Sequence, residues 1–140
     1  MTLTSRAFRN TELPLLEKEL CELCRPHLNL GPSGEPRMVP MNTGAEAVET
    51  AIKAARRWGY RKKGIADGEA EIIAFTGNFH GRTTTIISFS SDEGYRADFG
   101  PYTPGFVVLP FGDIAALKAQ LVRAGKKTAA ILIEPIQAES

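Results

Sequence analysis

The sequence comprises 140 residues, of which 43% are hydrophobic and 24% are charged, as expected for one globular domain with a buried core. The formal net charge of +1 argues against nucleic acid or an anionic membrane as a partner. The longest apolar run, residues 129–133, is too short to span a bilayer, and the first residues lack the apolar stretch of a secretory signal, so the default expectation is a cytoplasmic protein.

A first helix is predicted from Leu13 to Arg25, because leucines recur there with the 3-4-3 spacing of an amphipathic helix. Pro26 marks the end of this helix, since proline has no N–H group to donate. The leucines concerned are Leu13, Leu16, Leu20 and Leu23.

Cys21 and Cys24 lie inside this predicted helix and form a C-x-x-C motif. A redox-active pair is expected instead where a strand opens into a helix, because a helix N-terminus stabilises the thiolate. We therefore interpret both cysteines as small apolar residues of the helix. The only histidines, His27 and His80, do not complete a ligand spacing typical of zinc, so no metal site is predicted.

A second helix is predicted to begin at Gly44, after a loop over residues 29–37 and a brief extended piece at residues 38–39. Thr43 and Glu46 have the three-residue spacing of a capping box. The apolar residues that follow give this helix one hydrophobic face. They are Ala47, Val48, Ala51, Ile52, Ala55 and Trp58.

Strands and helices alternate through the rest of the chain, which predicts an α/β fold with a mainly parallel sheet and helices on both faces. Residues 90–105 have no clear period, and loops of that length in compact domains are usually functional. Residues 83–87 are rich in β-branched side chains and favour a strand. The other predicted elements are a loop bracketed by Gly64 and Gly68, strands over residues 72–75, 106–109 and 129–133, and a helix over residues 113–124 closed by Gly125.

Two short motifs carry most of the functional information. Thr43-Gly44-Ala45 opens the second helix, where small side chains and free N–H groups suit an anion such as phosphate. Phe79, His80 and Arg82 follow an apolar strand, on a loop between two glycines. Taken singly, such a turn is more often a plain helix start, such a phenylalanine a core residue, and such an arginine a solvated charge.

The predicted order of elements brings the second motif close to Glu134. In parallel sheets, ligands bind at the carboxyl ends of the strands. Phe75 leads into the second motif and Ile133 leads into Glu134. We therefore expect both to emerge at the same edge of the sheet.

Together with residues 134–139, these motifs resemble the class III pyridoxal-phosphate aminotransferases. The similarity runs through nearly the whole chain, and residues 59–65 and 99–106 resemble the ornithine aminotransferase subgroup in particular. The resemblance implies the large, cofactor-binding domain of a fold-type I pyridoxal-phosphate-dependent transferase, with a mainly parallel three-layer sheet. It also implies a helix over residues 82–88, which we adopt. Because family members are much longer, we expect residues 1–140 to be part of that domain, truncated at both ends.

The resemblance also implies how the cofactor is held. Backbone N–H groups at Thr43, Gly44 and Ala45 hold the phosphate of pyridoxal phosphate, and Phe79 stacks on its pyridine ring. His80 stands beside Phe79 in this cofactor-binding loop, at a position that is often aromatic in the family. We expect it to pack or to hydrogen-bond rather than to act as a base.

Two charged residues are implied to contact substrate. The planar fork of Arg82 suits a substrate carboxylate. Glu139 resembles the family glutamate that pairs with an arginine from the C-terminal part, an arrangement linked to accepting two different substrates. Ala138 replaces the glycine common before that glutamate and restricts the backbone beside it. Glu134, at the end of a buried strand, is expected to shape the site rather than to catalyse.

The complete enzyme implied by the resemblance moves the δ-amino group of ornithine to 2-oxoglutarate and is a dimer-based homo-oligomer. Nothing in this chain matches the family motifs for the Schiff-base lysine or for the aspartate at the ring nitrogen, so no catalytic residue is expected within it. Two alternatives stay open. One is a catalytically dead truncated or split-gene product that acts only with a complementing chain, or not at all. The other is an unrelated phosphate-binding α/β domain.

Overall fold

The computed structural model of the chain describes residues 11–31 and 34–138. The chain divides into two compact units, residues 1–40 and residues 41–140. Within the described ranges, no helix is both long enough and apolar enough to cross a membrane.

The first unit contains the predicted N-terminal helix. Helix α1 spans Glu12–Cys24 and is followed by one 3-10 turn, Arg25–His27. The α-helix therefore ends close to Pro26, as predicted. No residue of α1 is buried, and Leu23 is 68% exposed. The described part of this unit offers no strand or second α-helix on which the leucines could pack. Cys21 and Cys24 both lie on α1 as free thiols.

The second unit is built on a sheet of three parallel strands. Strands β1 (Glu71–Phe75), β2 (Phe106–Leu109) and β3 (Thr128–Ile131) lie in the order β2-β1-β3, which confirms the predicted α/β fold with a parallel sheet. Strand β3 ends two residues before the predicted limit, although the N–H of Leu132 still donates to Ile73 O at 2.8 Å. The predicted extended piece at residues 38–39 is not part of any strand.

The described part of the second unit contains three α-helices, one before β1 and one in each connection between successive strands. Helix α2 spans Gly44–Trp58, α3 spans Glu93–Arg96 in the long irregular segment, and α4 spans Ile114–Ala124. In place of the predicted helix over residues 82–88, the structure has only a 3-10 turn, Ile86–Phe89. The strand that the β-branched residues favour is not formed either, so that prediction is also wrong. The hydroxyl of Thr83 accepts a hydrogen bond from the N–H of Ile86 and supports this turn, as threonine hydroxyls do at helix starts.

The main core lies where α2 packs on β1 and on the 3-10 turn. Ile72 and Phe89 are at most 1% exposed and form its centre with Ile52, Ala74 and Ile86. Ala45, Val48, Ile52 and Ala55 pack there, again with 3-4-3 spacing. The predicted hydrophobic face of α2 is therefore only partly correct. Ala47, Ala51 and Trp58 belong to that predicted face but remain exposed, because the contacting stripe is narrower than the run of apolar residues.

A second, smaller cluster joins the end of α2 to β3. Helix α2 continues into a π-helical turn, Gly59–Lys63, and Gly64 ends this turn with a φ of +77°. A Cβ on Gly59 would lie 2.9 Å from Ile65 Cδ1 and 3.1 Å from the Cβ of Ala129, so glycine lets this turn approach β3 without displacing either side chain. The ammonium of Lys63 donates to the carbonyl oxygens of Gly125 and Thr128, at 2.6 Å each. These contacts fix the start of β3.

We expect Lys63→Ala to lower the free energy of unfolding by about 1–2 kcal/mol, because two carbonyl oxygens lose charge-assisted hydrogen bonds at a partly exposed site. Lys62→Ala is the matched control, since the side chain of Lys62 is exposed and forms no hydrogen bond or ion pair with the described residues. Its effect is expected to stay within about 0.5 kcal/mol. Urea denaturation of both variants measures the free energy of unfolding. An equal decrease in the two variants would show that the hydrogen bonds of Lys63 do not stabilise the fold.

Candidate functional site

The N-terminus of α2 presents two backbone N–H groups that bind nothing in the described structure. The hydroxyl of Thr43 accepts from Glu46 N at 3.2 Å, and the Glu46 carboxylate accepts from Thr43 N at 3.2 Å, which is the predicted capping box. This box satisfies the first and the last of the four N–H groups that a helix start leaves open. The N–H groups of Gly44 and Ala45 stay available. A Cβ on Gly44 would meet no atom within 4 Å, so the adjoining space is open.

The second motif lies directly against this helix start. Gly81 has a φ of +123°, and a Cβ on it would lie 3.1 Å from the Cβ of Ala45 and 3.1 Å from Ile86 Cδ1. A side chain at Gly81 would be strained by this φ and would make tighter contacts than usual, so the position strongly favours glycine. The hydroxyl of Thr83 also donates to the carboxylate of Glu49 on α2 at 2.5 Å. The two predicted motifs are therefore neighbours in space.

Two side chains, those of Asn78 and Glu134, hold the Phe79 loop at the carboxyl end of β1. The amide of Asn78, which is 7% exposed, donates to the carbonyl oxygens of Phe75 and Phe89. The N–H of Phe79 donates to the carboxylate of Glu134 at 2.9 Å. Glu134 follows β3, so this bond brings together the ends of two neighbouring parallel strands at one edge of the sheet. The site-shaping role expected for Glu134 stays a prediction.

Arg82 packs against two aromatic rings. Its guanidinium carbon lies 5.3 Å from the ring centre of Phe79 and 4.8 Å from that of Tyr95. Its terminal nitrogen also donates to the hydroxyl of Tyr95 at 3.3 Å. Tyr95, on α3, is absent from the sequence-predicted site. The available signal was its place in residues 90–105, the segment expected to be functional because of its length.

Arg82 and Tyr95 border a cavity of about 320 Å³. A volume of this order lies at the lower end of the range for small-molecule pockets. Arg82 brings a positive charge to the lining of this cavity, whereas much of the lining is apolar. Such a combination suits a small carboxylate. The lining residues are Arg82, Thr84, Ile87, Gly94, Tyr95 and Phe99.

His80 is packed as a neutral ring. Its centre lies 5.8 Å from the ring centre of Phe89, and its Nε2 is buried with no hydrogen-bond partner among the described residues. Burial lowers the pKa of His80 below its ordinary value, and the nearby charge of Glu134 opposes this shift only in part. These properties fit a packing role better than that of a general base.

One predicted site residue, Glu139, lies outside the described residues. Within residues 11–31 and 34–138, no group of three or more histidine, cysteine, aspartate or glutamate side chains is arranged to hold a metal ion.

The whole chain matches a known protein family. The family profile described as "Aminotransferase class-III" covers residues 1–140. The ornithine aminotransferase of Bordetella pertussis is 49% identical over all 140 residues, and the chain spans 31% of the length of that relative. The resemblance seen in the sequence, which runs through nearly the whole chain, is therefore confirmed.

Solved structures share the fold. The ornithine aminotransferase of Toxoplasma gondii, which holds pyridoxal phosphate (PLP) at partial occupancy in its active site, is 38% identical with a TM-score of 0.81. The match covers 96% of this chain and 29% of that one. The acetylornithine aminotransferase of Elizabethkingia anophelis is 50% identical with a TM-score of 0.69, over 98% of this chain and 30% of that one. The predicted fold class is confirmed.

We expect Glu134→Ala to speed hydrogen exchange at the Phe79 amide by about tenfold, because this amide loses its acceptor. Glu134→Gln keeps a carbonyl oxygen at the same place and should retain most of the protection. Exchange measured by mass spectrometry on a peptide covering residues 76–82 tests this, with a peptide from α4 as the internal reference. Unchanged exchange in Glu134→Ala would show that this carboxylate does not hold the loop.

The half-buried ring of His80 makes the free energy of unfolding depend on pH. The pKa of His80 in the folded chain lies below the ordinary value of 6.5. As the pH falls through 6.5, His80 therefore becomes protonated in the unfolded chain while it stays neutral in the folded chain. We therefore expect the free energy of unfolding to decrease below about pH 6.5 and to level off below the folded pKa. His80→Phe keeps a ring but removes the titrating group, so its loss between about pH 7.5 and 5.5 should be smaller. Equal losses in denaturant titrations would count against this account.

Proposed function

Because this chain belongs to the class III aminotransferase family, we propose that residues 1–140 form part of the large, cofactor-binding domain of an ornithine aminotransferase. The complete enzyme would transfer the δ-amino group of ornithine to 2-oxoglutarate and use PLP. The observation that carries this proposal is the junction of Gly81 with Ala45. It places two unpaired helix N–H groups next to a loop with an aromatic ring and an arginine.

The helix start fits the phosphate of PLP. Gly44 and Ala45 offer N–H groups at the positive end of the α2 dipole, and the open space beside Gly44 leaves room for an anion. The carboxylate of Glu46 accepts from the N–H groups of Asn42 and Thr43, which offsets its repulsion of a nearby phosphate. The binding energy would come from short, charge-assisted hydrogen bonds.

The aromatic loop fits the ring of the same cofactor. Phe79 offers a flat apolar surface, and Glu134 fixes the backbone that carries it. Because Arg82 lies over one face of Phe79, a stacked cofactor ring would use the opposite face. His80, neutral and packed on Phe89, would support the loop without exchanging protons. When bound, PLP supplies an electron sink for the bonds around the reacting carbon.

Arg82 would bind a substrate carboxylate. Its guanidinium borders the cavity, and its planar fork can hold both carboxylate oxygens. We propose that Glu139 pairs with an arginine from another part of the complete protein and so helps to admit two different substrates. Proton transfer and covalent attachment of PLP would fall to residues outside this segment, since no lysine here matches the family motif. The complete enzyme would be a cytoplasmic homodimer or a larger dimer-based assembly.

A second amino donor also has specific support. The relative from Elizabethkingia anophelis is an acetylornithine aminotransferase and is 50% identical to this chain. The donor of the complete enzyme would then be acetylornithine. Comparing kcat/KM for ornithine and acetylornithine with the same purified enzyme decides between the two donors. Activity with neither donor would favour the catalytically dead product.

We expect Gly44→Val, in the full-length protein that carries this segment, to weaken PLP binding at least about tenfold. The Cβ of the valine would meet no protein atom within 4 Å, and its methyl groups would extend into the space proposed for the phosphate, so cofactor binding should change far more than folding. Ala47→Val is the matched control, because Ala47 is an exposed residue of the same helix, beyond its first turn. Spectroscopic titration with PLP measures the affinity, and normal binding by Gly44→Val would refute the phosphate assignment.

Arg82→Ala should behave differently from Gly44→Val. We expect PLP affinity to change little, while the apparent KM for ornithine rises about tenfold or more, because a charge-assisted contact with the carboxylate is lost. Steady-state kinetics with excess PLP provide the measurement. Loss of the cofactor rather than of substrate affinity would show that the role of Arg82 is assigned wrongly.

A further inference from the structure

Tyr95 makes two distinct contacts with Arg82. Its ring centre lies 4.8 Å from the guanidinium carbon, and its hydroxyl accepts a hydrogen bond from the terminal nitrogen at 3.3 Å. The ring of Tyr95 also meets the ring of Phe79 edge to face, with the centres 5.7 Å apart. We propose that Tyr95 is a positioning residue, which holds Arg82 in the orientation that takes a substrate carboxylate. This inference rests on the proposed function of Arg82.

The energetic reason is the flexibility of arginine. A long arginine side chain loses much rotamer freedom when it binds a ligand, and this loss weakens binding. Two aromatic neighbours and one hydrogen bond order the guanidinium beforehand, so less freedom remains to be lost. The hydroxyl of Tyr95 engages one N–H of the guanidinium group, which has five N–H donors in a planar fork.

The backbone around Tyr95 is itself held in place. Asp92 caps α3, because its carboxylate accepts from the N–H of Gly94 at 2.7 Å. The N–H of Ala97 closes the same helix on the carbonyl oxygen of Glu93 at 2.8 Å. Tyr95 is half-buried and, like Arg82, borders the cavity. A short capped helix therefore sets the position of a ring that in turn sets the position of the guanidinium.

The test uses the full-length protein with PLP bound and compares three variants. Tyr95→Phe removes only the hydroxyl, whereas Tyr95→Leu also removes the ring. Tyr102→Phe is the matched control. The guanidinium carbon of Arg96 lies 4.7 Å from the ring centre of Tyr102, and the hydroxyl of Tyr102 donates to Arg96 O. Tyr102 therefore also stacks with an arginine, but this arginine is not Arg82. For each protein, KM and kcat for ornithine, the PLP affinity, and the dissociation constant of glutarate, a dicarboxylate without an amino group, are measured.

We expect Tyr95→Phe to raise the KM for ornithine and the dissociation constant of glutarate by about 3- to 10-fold. Tyr95→Leu should raise both by about 10- to 100-fold, since the stacking contact is lost as well. PLP affinity should stay unchanged, kcat should change by less than about twofold, and Tyr102→Phe should resemble the unmodified protein. A merely structural role for Tyr95 would instead alter PLP affinity or kcat together with KM.

Two further outcomes separate this inference from the proposed function. If ornithine is not a substrate but Tyr95→Phe still weakens glutarate binding, the proposed function fails and the role of Tyr95 stands. If the protein is active with ornithine and Tyr95→Phe leaves KM and glutarate affinity within about twofold, the inference is overturned while the proposed function stands. If the unmodified protein binds neither compound, both are overturned.

Discussion

The candidate site depends on the close approach of Gly81 to Ala45. A Cβ at Gly81 would lie 3.1 Å from that of Ala45, so a larger residue would push the loop away from the N-terminus of α2. The backbone of Gly81 also has a φ of +123°, which side chains other than hydrogen disfavour. Through this one contact, a helix that offers N–H groups and a loop that offers a ring and a charge become parts of one site.

Charge is arranged in this site so that an anion meets little repulsion. The carboxylate of Glu46 lies near the N-terminus of α2 and accepts backbone hydrogen bonds from Asn42 and Thr43. The carboxylate of Glu134 accepts from the N–H of Phe79. His80 stays neutral because burial lowers its pKa. Arg82 lines the cavity, and its positive charge favours carboxylate ligands over cations.

The residues from Gly59 to Ile65, which resemble the ornithine aminotransferase subgroup, have a structural role in the described fold. The motif suggests a subgroup of the family, yet none of its residues lies in the candidate site. Gly59 permits close packing on Ala129, and Lys63 anchors the start of β3 through two carbonyl oxygens. Similarity at these positions therefore reflects how the sheet is assembled. The motifs at Gly44 and Phe79, by contrast, lie at the edge where a ligand would bind.

Local signals in the sequence were enough to predict the parallel α/β fold, the capping box at Thr43 and the neighbourhood of Phe79 and Glu134. Each rests on spacing along the chain or on the rule that parallel strands end at one edge. Tertiary packing decided two features: the short turn after Arg82 and the exposure of Trp58. Both depend on how α2, β1 and the turn pack together, and no local sequence pattern contains that information. The contact of Tyr95 with Arg82 spans 13 residues across an irregular segment. Its formation depends on the cap of α3 and on the packing of three side chains at once, so only the tertiary structure decided it.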